Sequence, residues 1–547
     1  VLPNYITDNM VVQRNSVMKI TGHASSGSKV NVIAGWDSRS REVKADSEGK
    51  FDISLDTPDA GGPYSIIIAD KDSKVKVGNV LSGELWLCSG QSNMEFPVDG
   101  WTSVMDADHV VSTARNPDIR LLQVKKRVAF SPQDDIETNM GGWVEAAPNT
   151  MDFSAIAYLY AKELRDSLKV PVGVIDATWG GTPAEAWTSY GFLKGVPGFE
   201  GELSAMESCG FDASRLRENY EKEMGVWMKL AQKGGEEIRP GDKLTGNVLP
   251  ADYFERIGFG NGFDGIVWVQ KEIDVPAEDA GKPMTLKLGA IDDEDVTYLN
   301  GVDFSSLPKK PASIEGSSYP TVLYNAMSHL LRNVPRKGVL WYQGCANVGR
   351  AEQYETLFKS LINNWRDTWD SEFPFYFVQL AGWLAPHSVQ PDSEWAALRN
   401  AQSKALQLPN TAMVSAIDLG NPGDIHPRDK QTVAHRLALT ALGRDYGFDT
   451  NYKAPQCISM QKMGNKIVLK FDDDLTATSV AILGFIIGDA DGDFDQAVAR
   501  MADSRTLELY SPLVKKPVCV RYDWADFPNG NLYSRHGIPV APFATDK

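Results

Sequence analysis

The sequence predicts an α/β protein built on a doubly wound, mostly parallel sheet, with β-sandwich-like modules before it, inserted within it and after it. Three observations carry this. Apolar runs at Leu85–Cys88, Val172–Ile175, Gly338–Trp341 and Phe375–Leu380 alternate with helical periodicity over Ala155–Leu168 and Gln353–Trp365. That alternation is the grammar of βαβ units. Residues 1–80 instead carry short alternating stretches parted by Gly, Asp and Ser turns, and strand-rich patterns return at Phe263–Asn300 and beyond residue 447.

In chain order, Lys29–Ile33 and Tyr64–Ile68 read as strands of an N-terminal β domain, residues 1–80. The first part of the α/β core follows, residues 81–205. A polar helical segment and the runs Ile266–Val269, Met284–Leu288 and Val296–Leu299 form an inserted helical and β (jelly-roll-like) module over 206–317. That module looks short: Tyr319-Pro320-Thr321 follows soon after Asn300-Gly301-Val302, and a complete sandwich needs further strands to hide its edges. Either the insertion is truncated, or segments are missing and the chain breaks between Val302 and Ser317. The core resumes over 318–447, and Lys466–Leu469 and Pro517–Val520 mark a C-terminal β domain over 448–547.

At 547 residues the chain exceeds one ordinary core, and roughly two to four domains are expected. A hydrophobic content of 42% suits a globular protein, and no stretch reaches the roughly 18 apolar residues of a membrane span. A net charge of −17 with no basic patch argues against a nucleic-acid partner. It also means that an anionic substrate needs a local cationic contact. Lys125-Lys126-Arg127 is a short surface cluster. The five cysteines show no metal or redox spacing, and neither a metal nor a cofactor is expected. Residue 1 is Val, from which a removed leader and an extracytoplasmic (periplasmic or secreted) location are expected, although no signal-peptide pattern remains. Oligomeric state is not legible.

The chemistry concentrates at four strand ends. Gly90-Gln91-Ser92-Asn93-Met94 follows the first apolar run. A lone serine on such a turn most often caps a helix, and as a nucleophile it needs a base with an orienting group. The turn is not the Gly-x-Ser-x-Gly elbow of α/β-hydrolases. Asp176-Ala177-Thr178-Trp179-Gly180-Gly181 ends the second run, where a glycine can leave its N–H free for an oxyanion. Gln343-Gly344-Cys345-Ala346-Asn347 ends the third, with a side-chain amide at Asn347 able to donate or to cap a helix. Gly423-Asp424-Ile425-His426-Pro427 supplies a carboxylate and an imidazole from a glycine-containing loop.

Serine, glycine, asparagine, then Asp and His, each at a strand end and in that order, resemble the SGNH hydrolases, and within them the sialate O-acetylesterase family. The stretches LWLCSGQSNMEFPV, GVIDATWGGTPAEAW, TVLYNAM, GVLWYQG, EWAALRNAQ and DIHPRDKQ carry the resemblance. It implies a serine esterase with an SGNH-type core, Ser92 as nucleophile, His426 as general base and Asp424 as the orienting acid. Because a two-residue spacing is tight, Asp418 is the reserve, and a Ser–His pair without an Asp is a third possibility. The resemblance also implies an oxyanion hole of the Ser92 amide, the Gly181 amide and Asn347. The implied substrate is an O-acetylated sugar or sialoglycan. The alternatives are an acetylxylan or other plant-glycan esterase, and a glycan-binding protein that has lost catalysis.

Gln91, Gln343, Arg399 and Trp179 are candidate substrate contacts, with Gln402, Trp341 and Trp383 beside them. Arg399 has a competing expectation as the partner of a buried carboxylate that organises loops, and the tryptophans serve equally well as core aromatics. Relatives often carry Gln-Gly-Glu-Ser-Asn where this chain has Gln343-Gly344-Cys345-Ala346-Asn347. The substitution brings in Cys345, a rival nucleophile without a nearby base in sequence.

Overall fold

The computed structural model describes residues 1–235, 275–277, 298–299, 302–303 and 316–547. The chain divides into two compact units, Val1–Ala213 with Glu315–Lys547, and Ser214–Ile314.

The first unit is organised by one mixed sheet of 11 strands. Its parallel part consists of β1 (Lys74–Gly90), β2 (Asn116–Gln123), β3 (Val172–Thr178), β4 (Gly338–Tyr342), β5 (Phe375–Gln379) and β6 (Thr411–Ser415). Their spatial order is β6-β5-β4-β1-β3-β2, every neighbouring pair parallel. β3, β4 and β5 are buried at every position, which is why they read as continuous apolar runs. α1 (Ser92–Glu95), α2 (Ala155–Leu168), α3 (Ala351–Thr368), α4 (Glu394–Ser403) and α5 (Lys430–Asp445) connect and flank the strands. α2 packs on α5, and α3 on α4. Side-chain caps start three of these helices: Ser154 on α2, Ser393 on α4 and Asp429 on α5.

The strand order reverses beside β1. From there the chain first places β2 outside and returns to set β3 between β2 and β1, then crosses β1 to add β4, β5 and β6. Crevices at such switch points, beyond the carboxyl ends of the strands, are where open α/β sheets bind ligands.

The expected boundary near residue 80 falls inside one strand. The first half of β1 pairs antiparallel with Gly61–Ala69 and parallel with Val11–Gln13, while its second half lies between β3 and β4. The N-terminal β segment is therefore continuous with the central sheet through β1. The C-terminal segment forms two four-stranded antiparallel arrays, Cys457–Met463 with Lys466–Phe471, Thr506–Tyr510 and Val498–Asp503, and Phe494–Gln496 with Phe485–Gly488, Cys519–Tyr522 and Phe543–Ala544. Leu469, Leu507, Leu509, Ile487 and Val520 lie fully buried between them.

In the second unit, helix Ala213–Gly235 and an antiparallel pairing of Tyr298–Leu299 with Val302–Asp303 are described. The expected strands Ile266–Val269 and Met284–Leu288, and most of the stretch where a break was expected, lie outside the described residues. No described helix is long and apolar enough to cross a membrane.

Candidate active site

The four expected strand ends meet at the switch point. β1 ends at Gly90 with φ +137°, and an added Cβ would collide with the Tyr342 carbonyl, so only glycine lets β1 and β4 stay paired here. The chain then turns into α1. Gln91 holds the N-cap position and makes no side-chain cap bond. Ser92 is therefore the first residue of the helix rather than its cap, and its hydroxyl is used elsewhere. Ser92 Oγ lies 2.8 Å from His426 Nε2. As a first-turn residue its backbone N–H has no helical acceptor. Gly181, exposed at φ +73°, has open space where a Cβ would stand.

His426 Nδ1 stands 3.4 Å from Asp424 Oδ1, and the same oxygen accepts the His426 backbone N–H at 2.9 Å. The two-residue spacing is thus bridged by a tight local turn, with the carboxylate half exposed. Asp418, the reserve for the orienting acid, is engaged elsewhere: both its oxygens accept from the Arg436 guanidinium at 2.7 Å. Burial pushes the His426 imidazole below its ordinary value; Asp424 opposes that shift and the Lys430 cation adds to it. The edge-to-face contact of Trp101, ring centroids 5.6 Å apart, holds the imidazole from the solvent side, and Trp101 itself is 59% exposed.

Asn93, a polar group beside Ser92 in the sequence, and three residues that sequence reasoning passed over, Glu95, Glu185 and Lys430, support this arrangement. Glu95, at the end of α1, accepts the Gly180 N–H at 2.6 Å and the Lys126 ammonium at 2.5 Å, which pins the loop that presents Gly181. Asn93 donates to the Ile425 carbonyl at 3.1 Å and accepts from Lys430 Nζ at 2.6 Å. Glu185 accepts from Asn347 Nδ2 and from Arg350, at 2.9 and 2.8 Å. Glu95, Asn93, Glu185 and Lys430 all lie within the motif stretches, but periodicity does not reveal that their side chains turn inward.

Most of the expected substrate contacts also face inward. Gln91 is 3% exposed, and its carbonyl oxygen accepts the N–H groups of Gly344 and Ala346. Gln343 is fully buried between Thr182, Asn347 and Tyr354. Gln402 holds Leu380 and Gln343 backbone groups. Arg399, fully buried, donates to the backbone carbonyls of Ala525 and Asp526 and so organises loops; among the described residues it makes no direct ion pair, and the buried Asp523 carboxylate acts on it through space. These polar groups fasten segments distant in sequence to one another and leave a substrate nothing to reach.

Trp341 is fully buried against Trp187, Trp365 and Phe375, a core aromatic. Trp383 packs on Trp395. Trp179 is partly exposed beside Gly180, with Lys126 Nζ 5.8 Å from its ring centroid. Asn347 spends its carbonyl on Ala184 N–H and Gln343, and one amide proton on Glu185. Desolvation lifts the Cys345 thiol to about 12, which leaves it protonated and a poor nucleophile at neutral pH. Among the described residues no group of three or more His, Cys, Asp and Glu is disposed to hold a metal ion.

Comparison with known proteins agrees with this chemistry. A family model described as carbohydrate esterase, sialic acid-specific acetylesterase, matches residues 310–442. The sialate O-acetylesterases of Mus musculus and Homo sapiens are each 28% identical to this chain over 81% of its length, and 73% and 71% of theirs. The crystal structure of a carbohydrate acetylesterase from Xanthomonas citri aligns at a TM-score of 0.74 and 30% identity, covering 100% of this chain and 99% of that one. With its polar groups gathered at the switch point of a parallel sheet, the chain is an esterase and belongs to the sialate O-acetylesterase family of carbohydrate esterases.

Proposed function

We propose that the protein removes O-acetyl groups from carbohydrate, O-acetylated sialic acid in the first place, with an SGNH-type core and through an acetyl-Ser92 intermediate. The observation that carries this reading is the 2.8 Å approach of His426 Nε2 to Ser92 Oγ beside the open Gly181. Neutral His426 takes the Oγ proton as Oγ attacks the acetyl carbonyl carbon. The negative charge that develops on the carbonyl oxygen is met by the Ser92 and Gly181 N–H groups, and by the Asn347 amide proton not directed at Glu185. Each such donor is worth about 3 kcal/mol of barrier. The tetrahedral intermediate collapses as His426 returns the proton to the departing sugar oxygen, which leaves as a hydroxyl. A water, deprotonated by His426, then attacks acetyl-Ser92; the bond to Oγ breaks, His426 returns the proton to Oγ, and acetate is released. Asp424 holds the imidazole tautomer and stabilises imidazolium. An extracytoplasmic location and the five-part division of the chain belong to the same reading.

A neutral acetylated glycan such as acetylxylan is the second reading. It is favoured by the net charge of −17 and by the engagement of Lys126, a cation beside Trp179, with Glu95. Acetate release from O-acetylated sialic acids, set beside acetylated xylan oligomers, decides between them. Faster release from the sialic acid supports the first reading; equal or slower release overturns it.

A further inference from the structure

Lys430 is a lysine where a lysine is costly. It is 1% exposed, and no ion pair forms at its Nζ among the described residues. Its ammonium is held by one oxygen, Asn93 Oδ1 at 2.6 Å, and by two aromatic faces, Phe96 at 4.5 Å and Tyr342 at 5.6 Å from the ring centroids. A buried, unpaired cation is unfavourable, so simple packing at this position would be better served by an apolar side chain.

Its placement suggests what it does. Asn93 follows the nucleophile directly, and its amide donates to the carbonyl of Ile425, the residue before His426. Lys430 lies four residues after His426, at the start of α5, and donates back to the same Asn93 side chain. The histidine segment is thus fastened to the serine turn on both sides of His426. By contrast, the Asp424 contact to the ring is 3.4 Å long and half exposed.

We infer that Lys430 is a positioning residue: through Asn93 it locks the serine turn to the histidine loop and so sets the distance between Ser92 Oγ and His426 Nε2. The inference rests on the reading of Ser92 as nucleophile and His426 as base. The arrangement has an electrostatic side as well. The charged and titratable groups around His426 are Asp424 on its own loop, Glu95 on α1 and Lys430 on α5. Those around Lys430 are Cys345 after β4, Asp424 and Asp429. Burial lowers Lys430 itself to about 7, so it is charged over the acidic range in which His426 titrates, and there it disfavours imidazolium.

The test compares Lys430→Met, which keeps the length of the chain and removes the charge and donor, with Asn93→Ala and the double variant. Each is measured by kcat and KM on the acetylated sugar across pH, with Ser92→Ala alongside and thermal melting as the folding control. The expected result is a kcat lowered roughly 10- to 100-fold with KM little changed, as for a small misplacement of reacting atoms. The acidic limb of kcat/KM moves to higher pH in Lys430→Met, and the double variant is no worse than the poorer single. If Lys430→Met does not fold, Asn93→Ala and Asn93→Leu carry the same kcat and KM comparison. An unchanged kcat and limb, or additive losses in the double variant, overturn the inference while an inactive Ser92→Ala leaves the Ser–His reading standing. An active Ser92→Ala overturns both.

Discussion

Ser92 Oγ and His426 Nε2 lie 2.8 Å apart across 334 residues of sequence. Under the proposed mechanism nucleophile and base act as a unit, so replacing either with alanine is expected to lower acetate release by at least about 10³-fold with the melting temperature preserved. The pH profile carries a sign. His426 must be neutral to accept the proton, and burial holds its imidazole below the usual 6.5. The acidic limb of kcat/KM is therefore expected below 6.5, with activity lost as pH falls through that lowered value.

Asp424 and Asp418 are expected to separate cleanly. Asp424→Asn removes an exposed contact to the ring and should lower kcat about tenfold while leaving stability near wild type. Asp418→Asn leaves the buried Arg436 guanidinium short of its carboxylate and should cost about 3 kcal/mol of stability. Activity per folded molecule stays close to normal. Urea unfolding and kcat, measured on both variants, distinguish the two roles.

Glu95 anchors the loop of Gly181 through Gly180 N–H. In Glu95→Ala that loop loses its anchor, and kcat should fall roughly 10- to 100-fold with a smaller change in KM. Glu95→Gln keeps an acceptor for Gly180 and should retain most of the activity. Equal losses in both variants would show that the charge on Lys126, rather than the loop, is what Glu95 serves.

Trp101 leaves 59% of its surface exposed while touching the His426 ring. An indole so placed offers an apolar face to a sugar whose ester lies at Ser92. Trp101→Ala should raise KM for an acetylated sugar about tenfold and leave kcat/KM for ethyl acetate, which has no ring to stack, within about twofold. A proportional loss on both esters would instead make Trp101 a support for His426.

Stability against pH reports a buried carboxylate that takes no part in the proposed reaction. Asp176, fully buried in β3 and bonded by Thr178 and Gln123, is lifted by burial from 3.8 to about 7. Between those values the folded state holds a proton that the unfolded state has lost, so the contribution to stability falls as pH rises through the window. Asp523, also lifted to about 7, acts in the same direction. Asp176→Asn should remove one of these two slopes, seen as a smaller loss of unfolding free energy between pH 5 and pH 8.

Much of the framework was legible in the linear chain because local rules govern it. Fully buried parallel strands read as apolar runs, so β1, β3, β4 and β5 announced themselves, and the periodicity of Ala155–Leu168 matched α2 at both ends. β2 and β6 were not legible. Asn116-Pro117-Asp118 opens β2 with turn-forming residues, and β6 is a short run of Thr, Ala, Met, Val and Ser. The order of serine, glycine, asparagine and histidine loops pointed to one chemistry before any distance was known.

The sequence by itself determined the residue types at each strand end and the class of reaction they can perform. Only the tertiary structure decided which of those residues meet. It turned Gln91, Gln343, Gln402 and Arg399 into internal fasteners, because a buried polar group must find its partners within the protein. It also bound Asp418 to Arg436 and left Asp424 beside the imidazole, since an ion pair across a fold depends on how α5 packs against β6 and not on spacing along the chain. Lys430 emerged from the folded state alone: burial is a property of the surrounding chain, and nothing within DIHPRDKQ itself says which of its charges faces water.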